Sequence, residues 1–444
     1  MKVLIGPLNI ASQPYYLARG LRKYGVDATS IVYGTDISGQ FGYKNDLYID
    51  ISGSPVQKAK IFSETIKSTL EHNYDIYHFF QRSLFPSSPH HIHDKLIGFD
   101  IPLLKLRGKK IAYRFTGWEV IDSDTEKSKN KYSALFEKDF DGLFDEHLKR
   151  EYINFLRCYV DAFMVVDPMM QEHIPEASIV PRVLDVSEFE HVGIQNKKRP
   201  LILHAPTNPA YKGTKYILSA LETLKSEGLD FDIKLLGNMP FNQAMEWYKK
   251  CDILIDQLHV GWHGVLAMEL MAMGKPVAVY MRPDLADAPR DIPVWNIDKD
   301  NIVNQLRRLI TDFSLREDLA LRARPYIQKN CDESVVIPKL ISVYRGMMER
   351  PALSPQGTAD IDFLCEQRIL IEQMQEELND LRSRYLETSV FNKLGRIIMR
   401  TVSRHALLQK ITRKTVSLMP VGAEMTLRKI IRRDQIRQKA KGKN

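Results

Sequence analysis

Between Cys251 and Tyr280 the chain reads CDILIDQLHVGWHGVLAMELMAMGKPVAVY, and the residues there that suit chemistry are Asp256, the loop Gly261-Trp262-His263-Gly264, and Glu269. The apolar run from Asp252 to Ile255 suits a buried parallel strand. From Val265 to Met273 apolar residues recur at helical spacing, so a helix is expected to begin at or just after Gly264. A glycine loop entering a helix after a parallel strand presents unpaired backbone N–H groups and the positive end of the helix dipole, which suits a phosphate or pyrophosphate. Glu269 lies about a turn and a half further along, too far to meet that anion, and suits the hydroxyls of an attached ribose. Asp256-Gln257 closes the strand where a side chain faces a cleft, and capping of the strand end is an equal use for it. His263 is expected to pack within the loop. Gly274 then stops the helix, Pro276 keeps it from resuming, and Val277 to Tyr280 form the next strand. An ordinary strand–helix–strand unit with structural glycines has the same pattern.

Such residues need a frame of alternating strands and helices, and the chain supplies two. In the first, residues 2–6 form a strand, followed by the polar loop Asn9 to Pro14 and a helix from Tyr15 to Lys23. Further strands are expected at Asp75 to Phe80, Lys110 to Phe115 and Asp161 to Val166. The second block has strands at Leu201 to His204 and Phe231 to Leu236, with helices at Thr214 to Glu227 and Gln243 to Lys250. The expected fold class is α/β, with two Rossmann-like doubly wound domains, residues 1–184 and 201–334, facing a cleft and joined by a polar linker over 185–200. There is no G-x-G-x-x-G, which argues against a nicotinamide or flavin enzyme.

The stretch from Gly261 to Val277 resembles the donor-binding signature of the retaining, family 4 type of nucleotide-sugar glycosyltransferase, which has the GT-B fold. Glu269 stands at the signature's second glutamate, the glycine loop matches, and Gly274-Lys275-Pro276-Val277 matches its end. The first glutamate's position holds Gly261. Near the first turn of the second domain, Lys212-Gly213 matches the family's lysine and glycine, while Thr207 stands where an arginine is usual. Thr116-Gly117-Trp118-Glu119 corresponds to a loop that often reads His-Gly-x-Asp; Thr116 replaces the histidine, and a threonine cannot serve as a base near neutral pH. The resemblance covers roughly residues 1–348 and implies a donor side built from Lys212, Glu269, Asn208, Asp256, the loop and helix start at Gly264, Val265 and Leu266, and Gly237-Asn238 near the base. Lys212 and Glu119 are the implied catalytic residues, and Asn9, Gln13, Arg114, Thr116 and Glu119 the acceptor side. It also implies that a last helix, over residues 335–350, returns to the first domain. A fixed cation and helix N-terminal amides stabilise a leaving nucleoside diphosphate without metal, so neither cofactor nor metal is expected.

Bulk properties bound these expectations. With 444 residues, 44% hydrophobic and 27% charged, the chain is long enough for two or three globular domains. Cys158, Cys251, Cys331 and Cys365 are scattered without a C-x-x-C pair, which suits a reducing, cytoplasmic setting. The apolar run before Gly6-Pro7 is too short for a signal peptide, and no run is long enough to span a bilayer. Five D-x-D pairs occur, too many for the pattern to identify a manganese site, and His90, His91 and His93 read as a solvated loop. Residues 356–388 carry a short coiled-coil-like stripe, Ile371 to Tyr385, suited to self-association. Residues 389–444 hold 15 Lys and Arg against Glu424 and Asp434, so that tail is +13 and the preceding 388 residues −5. Aliphatic residues interleave with its cations as in a basic helix lying on an anionic membrane, a better match than a nucleic-acid arm. The expected function is transfer of a sugar from a nucleotide-sugar, with retention, to a lipid-linked or surface-polysaccharide acceptor at the cytoplasmic membrane face. The alternative is a non-catalytic binding or scaffold subunit of the same fold.

Overall fold

The computed structural model describes residues 1–34, 42–84, 98, 100–141, 146–237, 239–286, 288–289 and 291–351, with five further positions between 369 and 377. Asn238, the His90-His91-His93 group, most of the 371–385 stripe and the basic tail lie outside the described residues.

Two parallel sheets organise the chain. The first is built from β1 (Lys2–Pro7), β2 (Asp27–Gly34), β3 (Leu47–Asp50), β4 (Ile76–Phe80), β5 (Lys110–Arg114), β6 (Ala162–Val165) and β7 (Ser178–Ile179), in the order β3-β2-β1-β4-β5-β6-β7. The second holds β8 (Leu201–His204), β9 (Asp232–Leu235), β10 (Ile253–Ile255), β11 (Val277–Val279) and β12 (Val294–Asn296), in the order β12-β11-β10-β8-β9. Central strands are covered on both faces: every residue of β4, β5, β10 and β11 is buried, and β10 and β11 read as unbroken apolar runs, while β4 and β5 bury His78, Lys110 and Arg114. This is an α/β protein of two doubly wound domains.

The segment after residue 184 is tied down rather than free. Val192 and Gly193 donate to Met273 O, and Arg324 donates to Phe189 O and Val186 O. At its start, Leu184 N donates to Cys331 O and Glu333 N to Leu184 O, so the outgoing and returning chain passages are bonded to each other. The helix Glu333–Glu349 then lies on the first domain. Its Val336, Ile337, Leu340 and Tyr344 share one buried cluster with Leu17, Leu21 and Ile5. The helix Gln13–Lys23 approaches it so closely that a Cβ on Gly20 would stand 2.6 Å from Ile337. Tyr344 OH meets the buried His78 Nδ1 at 2.6 Å.

Residues 123–141 of the first domain reach across and grip the second. Glu137 takes Lys215 at 2.6 Å, Lys299 at 2.7 Å and the Tyr216 hydroxyl at 2.8 Å. Asn130 Nδ2 donates to His259 O, and Tyr132 packs edge-on against Tyr280. Among the described residues, no helix is long and apolar enough to cross a membrane.

Candidate functional site

Ligands of doubly wound sheets bind beyond the carboxyl ends of the strands, where the strand order reverses. In the first sheet the reversal falls between β1 and β4, and in the second between β8 and β10. The loops after these strands face one another across a cavity of about 250 Å³ between the domains. Ser12, Gln13, Tyr16 and Tyr43 line it from the first domain; Thr207, Lys212, Gly237, Val265, Leu266 and Glu269 line it from the second. Backbone strain collects in the same loops. Ala11, Ser12 and Gln81, none of them glycine, have φ of 48°, 59° and 58°, and such conformations persist only where surrounding contacts hold them.

On the second-domain side the helix runs Val265–Ala272, with Gly264 as its N-cap. Glycine has no side chain to cap with, and Asp256 supplies the acceptor: its Oδ2 takes the Gly264 N–H at 3.1 Å. Its Oδ1 takes the Lys212 ammonium at 2.7 Å, and Gln257 Oε1 takes the same ammonium at 2.7 Å. Asp256 is 1% exposed and does not line the cavity. It stands behind Lys212 and aims it, which corrects the expectation that it meets a ligand directly. The Val265 and Leu266 N–H groups have no intrahelical acceptor, and both residues line the cavity.

Glu269 is different from every other carboxylate near the cleft. It lines the cavity, and among the described residues no donor reaches it. Burial raises its pKa to about 8, and its charge is felt by the tyrosines Tyr16, Tyr43 and Tyr248 around it. A buried carboxylate without a hydrogen-bond donor costs free energy.

Gly261, at the position of the missing glutamate, has φ +84°, and a Cβ there would stand 2.7 Å from Arg282 Cγ. Arg282 is itself buried and held by Glu172 at 2.7 Å. A left-handed backbone against a fixed arginine leaves no room for a side chain. Trp262 and His263 are buried and stacked on each other, and burial, with Arg182 nearby, lowers the His263 pKa to about 4. Asn208 caps the short helix Pro209–Lys212 through the Tyr211 N–H and does not line the cavity.

The first-domain residues are placed less favourably for binding. Arg114 is fully buried, and its guanidinium donates to Val180 O and Pro181 O at 2.7 and 2.8 Å, so it ties β5 to the chain leaving the domain and does not reach an acceptor. Gln13 borders the cavity, but its amide is spent on both backbone groups of Val183. Asn9 accepts the Ser12 N–H and donates to Lys44 O. Glu119 folds back on its own loop, accepting the Thr116 and Gly117 N–H groups; burial raises its pKa, and those amides and Arg182 oppose the rise. The Thr116 hydroxyl accepts from Gln81. This loop is nonetheless brought to the cleft, because Trp118 packs edge-on against Tyr211, beside Lys212.

Two contributors had no local signal in the sequence. Arg182 bonds Thr116 O at 3.1 Å and acts on Glu119, Tyr211 and His263 from both domains. The tyrosines around Glu269 come from three separate segments. Among the described residues, no group of three or more His, Cys, Asp or Glu is placed to hold a metal ion. Members of three D-x-D pairs have structural partners: Asp122 caps a helix, Asp232 pairs with Arg199 and Asp298 binds Asn301.

No protein-family model and no curated protein matches the sequence. Solved structures do match in fold. HepE from Anabaena, in complex with UDP and glucose, superposes with a TM-score of 0.54 at 11% identity, over 78% of this chain and 99% of its own. Sucrose-phosphate synthase from Thermosynechococcus elongatus gives 0.54 at 12% identity over the same shares. An alpha-glucosyltransferase in complex with UDP and DNA gives 0.50 at 11%, over 77% of this chain and 98% of its own. The likeness is one of fold: the chain has the GT-B arrangement of two Rossmann-like domains around a cleft.

Proposed function

We propose that this chain is a retaining glycosyltransferase of the family 4 type, which transfers a hexose-like sugar from a nucleoside-diphosphate sugar to a lipid-linked or surface-polysaccharide acceptor. The observation that carries the reading is Glu269, an unpartnered carboxylate on the cleft wall at the strand-order reversal that also holds Lys212. In this reading Glu269 receives the ribose hydroxyls, and Lys212 with the Val265 and Leu266 amides receives the diphosphate. UDP complexes of proteins with the same fold support a nucleotide-sugar as the ligand class.

Thr116 is no base, and Glu119 beside it is spent on the amides of its own loop. Retention then follows if the departing phosphate oxygen takes the acceptor's proton on the face it leaves, with the protein positioning both partners and stabilising the diphosphate charge. The inward-turned Glu119 favours a second reading, a nucleotide-sugar-binding subunit without transfer activity. One experiment addresses both. Nucleotide-sugars are screened by thermal shift, since a ligand of the native state raises the melting temperature, and the best is assayed for transfer or hydrolysis with the parent and Lys212→Ala. Binding with turnover that Lys212→Ala abolishes supports the enzyme. Binding without turnover supports the subunit, and no binding refutes both.

A further inference from the structure

A second cavity, of about 650 Å³, lies at the end of the second sheet away from the cleft, under the starts of β8, β10 and β11. Six cations line it, Lys197, Arg199, Lys234, Lys249, Lys250 and Lys275, against Asp232 and Asp252. The lining residues sum to a formal +4 in a body, residues 1–388, that is −5, and just outside the lining Glu190 meets Lys249 at 3.2 Å and Asp230 meets Arg199 at 3.3 Å. Both carboxylates are already committed: Asp252 takes the Leu201 N–H at 2.9 Å and Lys197 at 3.0 Å, and Asp232 takes Arg199 at 2.7 Å. Lys275 is 2% exposed, and its ammonium donates to Lys249 O at 2.8 Å. Burial lowers its pKa, with Cys251 and Asp252 opposing the fall and Lys197 adding to it. A buried ammonium held only by a carbonyl is costly. Lys234 and Lys250 sit 4.2 and 5.4 Å from the centre of the Trp247 ring, again with no carboxylate partner among the described residues.

Lys275 precedes β11 and Lys234 lies on β9, three strand spacings apart in the sheet or about 14 Å, a span that suits an extended anion over a single phosphate. Trp247, Leu201 and Ile233 add apolar surface between the charges, the mixture a sugar ring with a carboxylate meets well. We propose that this groove binds an acidic oligosaccharide. The inference rests on the transferase reading and deepens it, naming an anionic glycan as the acceptor or product class. The groove is separated from the cleft by the length of the sheet, about 13 Å for a four-residue strand, plus the flanking loops. A polymer held here is therefore gripped away from its reacting end.

The test is a titration of the full chain with an oligogalacturonate of defined length, a neutral maltooligosaccharide of the same length, and inorganic tripolyphosphate, read by tryptophan fluorescence and calorimetry. The oligogalacturonate is expected to bind in a salt-sensitive manner and the neutral sugar not to bind. The double variant Lys234→Glu/Lys250→Glu, confined to side chains outside the core, should weaken binding by about ten-fold or more. Trp247→Phe should remove most of the fluorescence change. Unchanged affinity in the double variant overturns the proposal, as does tripolyphosphate binding as tightly as the glycan. UDP-sugar titrated into the same preparation separates the failures. Donor binding without glycan binding sinks the groove alone, and glycan binding without donor binding sinks the transferase reading alone.

Discussion

Lys212 and Asp256 form an ion pair of 2.7 Å in which the aspartate is buried and its other oxygen holds the first amide of the glycine-loop helix. The aspartate therefore fixes both the cation and the helix start. Asp256→Asn should cost roughly 1–3 kcal/mol of stability, because it weakens a buried charge-assisted contact on two sides. On the proposed reading it should also weaken binding of free nucleoside diphosphate, since Lys212 and the helix start lose the group that aims them. Chemical denaturation and calorimetry measure the two effects; unchanged diphosphate binding in a folded variant would count against the positioning role.

Glu269→Gln should weaken donor binding, since a carboxylate accepting hydroxyls forms charge-assisted bonds worth roughly 1.5–3 kcal/mol each. Donor affinity of the parent should rise with pH as Glu269 ionises toward about 8, and the variant should lose that dependence. Stability carries the opposite sign. A carboxyl whose pKa is raised on folding stabilises the fold below about 4.5 and loses that contribution as pH climbs through about 8. The variant should therefore gain stability relative to the parent between those limits. Parallel pH profiles of melting and binding check both statements, and matching profiles in the two proteins would remove Glu269 from the site.

Glu137 titrates the other way. Burial opposes its ionisation, but hydrogen bonds from Lys215, Lys299 and Tyr216 outweigh it and bring the pKa down to about 2. Its contribution is present above about 4.5 and fades as pH falls toward 2. Glu137→Gln should flatten the acid limb of the stability profile and loosen the grip of residues 123–141 on the second domain. Hydrogen exchange around Lys215 and Lys299 reads the second effect directly.

Turnover should persist in a chelator, because on the proposed reading Lys212 and backbone amides stabilise the developing diphosphate charge. Loss of activity in EDTA, restored by manganese or magnesium, would overturn this.

The basic tail should hold the protein on anionic vesicles, with each cation near such a surface worth about 1 kcal/mol. Sedimentation of the full chain and of a chain ending at Thr388 with anionic and neutral liposomes decides it. Equal sedimentation of the two chains, or indifference to lipid charge, would refute the anchor.

The sequence made the central strands plain, since burial on both faces leaves mostly apolar residues in them: Ile253–Ile255 is a strand, and Gly274 ends its helix at φ +76°. The outer strands Leu47–Asp50 and Val294–Asn296 are partly exposed and carry no such signal. At the site, residue type could be read but not expenditure. Nothing local reveals that the Gln13 amide is consumed by Val183, 170 positions away, or that Arg114 serves two carbonyls under the sheet. Gly261 was visible as a departure from a pattern, but its cause, Arg282 pressed against it, is a tertiary contact.

The chain crosses between the domains twice, and at Leu184, Cys331 and Glu333 the two crossings are stitched together. Two straps fastened at one line place any hinge axis there, and the contacts of Glu137 and Asn130 across the cleft hold the halves against a swing about it. A single cut between residues 192 and 198 would leave the halves joined by the returning helix, so a nicked protein should still elute as one body. Separating the lobes requires severing both straps.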